Sequence, residues 1–130
     1  MTVSKLIKKG IITVYLPLVS FVVICGFIAH WFAENILNSN KVNFVVMIVV
    51  IISVCIGWIW WSYKVVKWKY WAFSQLNTDD SYKLYAKAVG VGLIWPTGSV
   101  FNRTEIWTKE DKNKWQNINP QVREIFEVEK

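Results

Sequence analysis

A chain of 130 residues has room for one small domain or a few membrane spans. Hydrophobic residues make up 54% of it, aromatic residues 16%, and nine positions are Trp, which excludes a disordered chain and is far from ordinary soluble usage. The formal net charge is +6, and the only two cysteines, Cys25 and Cys55, lie inside apolar runs, which argues against a disulfide framework and reads as two small buried hydrophobes.

Residues 1–10 carry Lys5, Lys8 and Lys9 and no acid, and read as a basic cytosolic N-terminus. Residues 11–33, IITVYLPLVSFVVICGFIAHWFA, have no formal charge when His30 is neutral. A hydrocarbon layer of ~30 Å takes about 20 apolar residues at ~1.5 Å each, so this run is long enough to cross. It is too long for a cleaved signal core and lacks a small-x-small site at its end, so it reads as a retained span. Pro17 removes one backbone donor and predicts a kink. His30, beside Trp31, reads as an interfacial side chain with access to water.

The connector 34–41, ENILNSNK, is short and rich in Asn, and forces an antiparallel pairing with the next run. That run, 42–63, VNFVVMIVVIISVCIGWIWWSY, is also free of charge. Small residues recur at helical spacing, Cys25 with Ala29 and Ser53 with Gly57, and predict close helix–helix packing. Lysines flank the outer ends of both runs, whereas the connector has one, so both ends of the chain are expected on the cytosolic side of a bacterial inner membrane.

Trp58, Trp60, Trp61 and Tyr63 stand where the second span meets the lipid headgroups, a level that indole and phenol rings favour. Lys64, Lys67 and Lys69, with Trp68 among them, follow at the level of the phosphates. From Trp58 to Leu76 there is no Pro or Gly, so the helix is expected to run on through 64–76 as a stalk. Lys and Trp are scattered around the helical wheel, which argues against a helix lying flat on lipid.

Residues 77–130 form the cytosolic tail. Asn77-Thr78-Asp79-Asp80 is a helix start, with the acids in the first turn. The helix is expected to stop at Gly90. Pro96-Thr97-Gly98 then reads as a tight turn between the apolar stretches LIW and SVFNRTEIW, a pattern that admits a β-hairpin. In that arrangement Arg103 and Glu105 would pair on one face. Thr108 caps a further helix, which Asn119-Pro120 closes. The last stretch has apolar residues at 122, 125, 126 and 128 and reads as a short helix or a strand.

The fold expected is therefore an α-helical membrane protein: a two-span antiparallel hairpin, a second helix extended into the cytosol, and a small tail of short helices with that hairpin. A soluble piece of 54 residues seldom buries enough surface to hold itself together. Yet the tail carries Trp95, Phe101, Ile106, Trp107 and Trp115. These side chains need a cover: the stalk, a second copy, lipid or another protein. They are the expected docking residues.

Catalytic and cofactor chemistry is poorly provided for. The tail has neither His nor Cys, which excludes a Ser-His-Asp or Cys-His set there. The glycines of GVGLIWPTG lack the Gly-Lys-Ser/Thr ending of a phosphate loop. No metal or cofactor is expected, and no enzyme activity. Residues 64–130 hold eleven basic and eight acidic side chains, too mixed a field for nucleic acid. The expected partners are the bilayer and either other membrane subunits or further copies of the chain.

Three readings of function are open at this level. The first is a non-enzymatic accessory or structural subunit of a larger membrane assembly. The second is a self-oligomerising effector that permeabilises the membrane in phage defence, and the third an immunity protein against a membrane-active toxin. The lack of charge in both spans disfavours a constitutive aqueous pore and favours the first. The topology predicts that reporters fused to either end of the chain score cytosolic; a C-terminal reporter scoring on the outer side would overturn it.

Overall fold

The computed structural model of the chain describes residues 2–36 and 39–127. Helix α1 spans Val3–Ile36 and α2 spans Ser39–Phe73. Three shorter helices follow: α3, Thr78–Gly90; α4, Lys109–Gln116; and α5, Pro120–Glu127. A single 3-10 turn, Val100–Thr104, lies between α3 and α4. Position 128 and, in the connector, residues 37 and 38 lie outside the described residues. On either side of the latter pair, helix continues to Ile36 and resumes at Ser39, so most of the expected loop 34–41 is helical.

Helices α1 and α2 are long and apolar enough to span a membrane, with mean hydropathy of 2.5 and 2.6 over their most apolar stretches. They run antiparallel, with Leu18 against Gly57 and Val50 against Gly26. A Cβ at Gly57 would come within 3.1 Å of Leu18 Cγ, so the small residue sets the separation there. Ala29, Ala33 and Ser53 are buried and Cys25 half-buried. The Ser53 hydroxyl donates back to the Val49 carbonyl at 2.7 Å, which satisfies it within its own helix. His30 lies 3.3 Å from Glu34, one turn on, with both side chains exposed.

Residues Ile11–Tyr15 of α1 form a π turn. Pro17 accounts for it: the ring has no N–H for the Thr13 carbonyl and crowds it, so the preceding turn widens. Thr13 donates its hydroxyl to the Lys9 carbonyl at 2.7 Å within the same stretch.

Below the apolar band, the first turns of α1, the last turns of α2 and the whole tail share one core. Leu6, Ile7 and Val14 of α1 meet Val65, Val66, Trp68 and Phe73 of α2, and Leu84, Leu93, Ile94, Ile118 and Val122 of the tail. The basic N-terminus is therefore an amphipathic helix, with Lys5, Lys8 and Lys9 outward and Leu6, Ile7 and Gly10 inward. The Trp68 indole donates to the Leu6 carbonyl at 3.2 Å. Tyr15 donates its hydroxyl to the carbonyl of Gly92.

Capping explains where the tail helices begin. Asn77 Oδ1 accepts from the Asp80 amide at 3.0 Å to start α3. Thr108 and Asp111 form a reciprocal capping box at α4. Asn119 caps α5, whose first residue is Pro120, so the Asn-Pro pair opens this helix, whereas α4 has already ended at Gln116 with Asn117 as its C-cap. Helix α3 ends at Gly90, where its first glycine suggests. Gly92, at φ +70°, takes the left-handed position, and Leu93 and Gly92 donate to the Ala88 and Val89 carbonyls in a Schellman motif.

No β-hairpin forms among the described residues, and this corrects the expectation for 93–107. The turn itself is present: Gly98 has φ +85° and Ser99 donates to the Pro96 carbonyl at 3.1 Å. The flanks are used otherwise. Leu93 and Ile94 enter the core, Asn102 Nδ2 donates to the Pro96 carbonyl at 2.8 Å, and the Ile106 amide donates to the Ser62 carbonyl of α2 at 3.1 Å. Glu105 turns towards α2 and not towards Arg103.

Gly10 marks the tightest point of this core. A Cβ there would lie 2.5 Å from Leu93 Cδ2 and 2.7 Å from the Trp68 ring, both buried. Gly10→Ala should therefore destabilise the protein by about 1–3 kcal/mol, although Ala is the better helix former by ~1 kcal/mol. Gly90→Ala, where nothing lies within 4 Å of the new atom, should be neutral or stabilising. Thermal unfolding of both variants in detergent tests the contrast, and equal behaviour would sink the close-approach argument.

Candidate functional site

The extension of α2 carries two aromatic clusters on the faces it turns to the tail. In the upper one, nearer the apolar band, Trp95 stacks on Phe101 with centroids 4.5 Å apart, Phe101 lies 5.7 Å from Trp58, and Trp61 meets Trp95 edge-on at 6.5 Å. In the lower one, Phe126 meets Phe73, Trp115 and Tyr85 edge-on at 5.0, 5.2 and 5.3 Å, and Trp107 meets Trp115 at 5.6 Å. Edge-to-face geometry places ring hydrogens over ring faces and adds to the gain from burial.

The residues expected at the lipid surface divide in two. Trp60 and Lys67 are exposed, Tyr63 and Lys64 half-buried, and Trp58 borders the upper cluster. Lys64 Nζ lies 4.6 Å from the Trp60 ring centre and Lys67 Nζ 4.4 Å from that of Tyr63. Both ammonium groups lean one turn back towards the helix N-terminus, the direction helical side chains take. Trp61, Trp68 and Lys69 face protein instead. Of the expected docking residues, Trp95, Trp107 and Trp115 are half-buried against their own chain, whereas Phe101 and Ile106 stay 41% and 43% exposed.

Lys69 is only 4% exposed. Its Nζ lies 2.5 Å from Glu105 Oε1, and Glu105 Oε2 accepts from the Trp107 indole at 3.2 Å. The ammonium also sits 5.0 Å from the Phe126 ring centre. Burial pushes the Lys69 ammonium below the ordinary lysine value of 10.5, and Glu105 opposes that shift. This buried pair ties α2 to the loop before α4. Sequence reading missed it because Lys69 looks like one of three juxtamembrane lysines.

Beside the pair opens a cleft of about 570 Å³. Trp107, Trp115 and Phe126 supply its apolar wall, and Lys112, Arg123, Thr97 and Asn102 its polar side. Thr97 is held firmly: its amide donates to the Tyr85 hydroxyl at 2.7 Å and its hydroxyl donates to the Ile125 carbonyl at 3.2 Å. Two buried polar atoms of lining residues, Asn102 Oδ1 and Arg123 Nε, have no hydrogen-bond partner among the described residues. Among the described residues no group of three His, Cys, Asp or Glu converges in a metal-binding arrangement. The cleft thus combines aromatic rings packed edge-on with the Arg123 guanidinium, the Lys112 ammonium and the Glu127 carboxylate.

No protein family, curated protein or solved structure matches the chain.

Removing one partner of a buried ion pair leaves the other charge uncompensated, so Glu105→Gln should cost about 3–5 kcal/mol. Adding Lys69→Met to it should recover most of that loss, because no buried charge remains and the amide still accepts from Trp107. The sign with pH follows from the depressed lysine: the folded chain releases this proton before the unfolded chain does. Wild type should therefore gain stability relative to the double variant as pH rises through the window below 10.5. Simple addition of the two single effects would show that the pair is not coupled.

Proposed function

We propose that the chain is a two-span protein of the bacterial inner membrane, with both ends cytosolic, and that it serves as a non-enzymatic accessory subunit of a larger membrane assembly. The observation that carries this is the outward face of the hairpin. The most apolar stretches of α1 and α2 are only 6% and 17% buried within the molecule, which is not how a core helix of a soluble protein sits. Phe27, Trp31 and Phe44 are among the bulky side chains left outside. An uncovered apolar band of that kind calls for lipid or other spanning helices.

The lower end of the hairpin supports the orientation. Lys5 and Lys8 of α1 and Lys64 and Lys67 of α2 come to the same end through the antiparallel pairing, and the base folds there. Val100, Phe101 and Ile106 are exposed, and Phe101 lies beside Trp58, a placement suited to the headgroup level. Because Trp95, Trp107 and Trp115 are engaged in cis, the surface offered to other subunits shifts from those rings to the helical band and its rim.

A second reading, self-assembly into a membrane effector, is favoured by one feature. An apolar notch of about 280 Å³ lies between Pro17, Leu18 and Phe21 of α1 and Ile56, Gly57 and Trp60 of α2. It would accept a bulky side chain from a second copy. Native mass measurement of the tagged chain, gently extracted from its own host, separates the two. A defined set of other membrane proteins is expected. One homo-oligomer with nothing else bound would transfer the assignment to the effector, and ion leakage on overexpression would then follow.

A further inference from the structure

The 3-10 turn Val100–Thr104 is pinned to α2 at the depth of the apolar band. The Ile106 amide donates to the Ser62 carbonyl at 3.1 Å, inside the uncharged run 42–63. The Phe101 ring lies 5.7 Å from that of Trp58 and stacks on Trp95. Trp58 stands six positions before Lys64, the first charge after the run, or about 9 Å along the axis at ~1.5 Å per residue. Interfacial helices bury their apolar faces ~5–10 Å into the boundary between headgroups and acyl chains. With the hairpin in a membrane, the turn reaches that same layer.

Its surface and its hydrogen bonds suit the layer. Val100 is 66% exposed, and Phe101 and Ile106 are exposed as well. The polar groups of the turn are met within it. The Asn102 amide donates to the Ser99 carbonyl at 3.1 Å, the Glu105 amide to the Asn102 carbonyl at 3.4 Å, and the Thr104 hydroxyl to the Phe101 carbonyl at 2.8 Å. Irregular backbone can leave water only when its donors and acceptors are paired in this way. Between Leu93 and Trp107 only Arg103 and Glu105 carry charge, and Glu105 is turned inward on Lys69. Arg103 is exposed and, among the described residues, has no carboxylate within ion-pair distance. It follows Val100 by one turn of 3-10 helix, which places the two on one side. A guanidinium at this depth meets lipid phosphate, which it can hold with two parallel N–H donors.

We propose that this turn is a membrane-inserted lip: Val100, Phe101 and Ile106 enter the boundary layer, and Arg103 binds a lipid phosphate. The folded base is then attached to the bilayer at a third point, beside the two spans. The inference rests on the reading of α1 and α2 as spans, and the test separates the two.

The full chain carrying Cys25→Ala and Cys55→Ala is reconstituted as one copy per phospholipid nanodisc. The rate at which a charged maleimide labels single introduced thiols is then measured. Tyr82→Cys, on α3, is the water reference, because Tyr82 is 54% exposed on the molecule itself, less than Val100. The Val100→Cys thiol should nevertheless label roughly tenfold or more slowly than that reference, since each unit by which an apolar layer raises a thiol's pKa costs a factor of ten in thiolate. Adding Arg103→Gln should restore much of the rate at Val100→Cys, and Arg103→Lys should restore less. Val100 and Arg103 are both exposed, so neither change disturbs the core. Ile52→Cys, at an exposed position midway along the second run, should stay unlabelled. If it labels, the spans are overturned and the lip with them. If it stays unlabelled while Val100→Cys reacts as fast as Tyr82→Cys, the lip alone is overturned. A rate at Val100→Cys that Arg103→Gln leaves unchanged would overturn the phosphate contact. Protection of Val100→Cys in native membranes but not in single-copy nanodiscs would assign the surface to another subunit or a second copy and reject lipid.

Discussion

Helix α2 does not stop where its apolar run stops, and the lower half of the molecule is organised by that continuation. A tail of 54 residues seldom buries enough surface by itself. It borrows a preformed rod. Trp61, Val65, Trp68 and Ala72 lie along one buried stripe of α2, and Ser62, Val66, Lys69 and Phe73 along the next. Together they give the tail about half the circumference of a rigid helix to assemble on, with no loop entropy lost in forming it. The first turns of α1 close the other side, and Gly10 is the point at which α1, Trp68 and the Schellman turn at Leu93 can approach that closely.

This arrangement changes what the tail can be for. Aromatic side chains that would recruit a partner if they were free are spent on holding the tail to its own stalk. What stays outside is of two kinds. One is the apolar band of the hairpin with its rim of Trp58, Trp60, Val100 and Phe101. The other is a cleft at the base with an aromatic wall and a polar side. The apolar band above and the cleft below are joined by one continuous helix, α2. The Lys69–Glu105 pair links that helix to the loop that precedes α4 at the edge of the cleft.

The sequence alone determined the elements that rest on local rules. The two long apolar helices, the run of α2 past its span, and the caps at Asn77 and Thr108 all follow from chemistry within a few residues: runs without charge, the lack of a breaker, a side-chain oxygen three residues before an amide. The turn at Pro96–Ser99 was legible in the same way. The strands beside it were not decided locally, since a β-ladder needs free backbone groups, and the fold gives the Ile106 amide to Ser62 and the Pro96 carbonyl to Asn102. The role of residues 3–14 was written at helical spacing in Leu6, Gly10 and Val14, but the lysines between them masked it.

Only the tertiary structure decided where Lys69 points and what stands around it. By sequence it is the third lysine of a juxtamembrane group. In the fold it is the one that falls on the buried stripe, where a carboxylate 36 positions later meets it. The cleft is of the same kind: its walls come from α2, the loop after α3, α4 and α5, and no window of sequence contains them together. Helix, cap and span depend on neighbours in the chain and can be read there, whereas an ion pair between distant residues or a cavity depends on which surfaces the chain finally brings face to face.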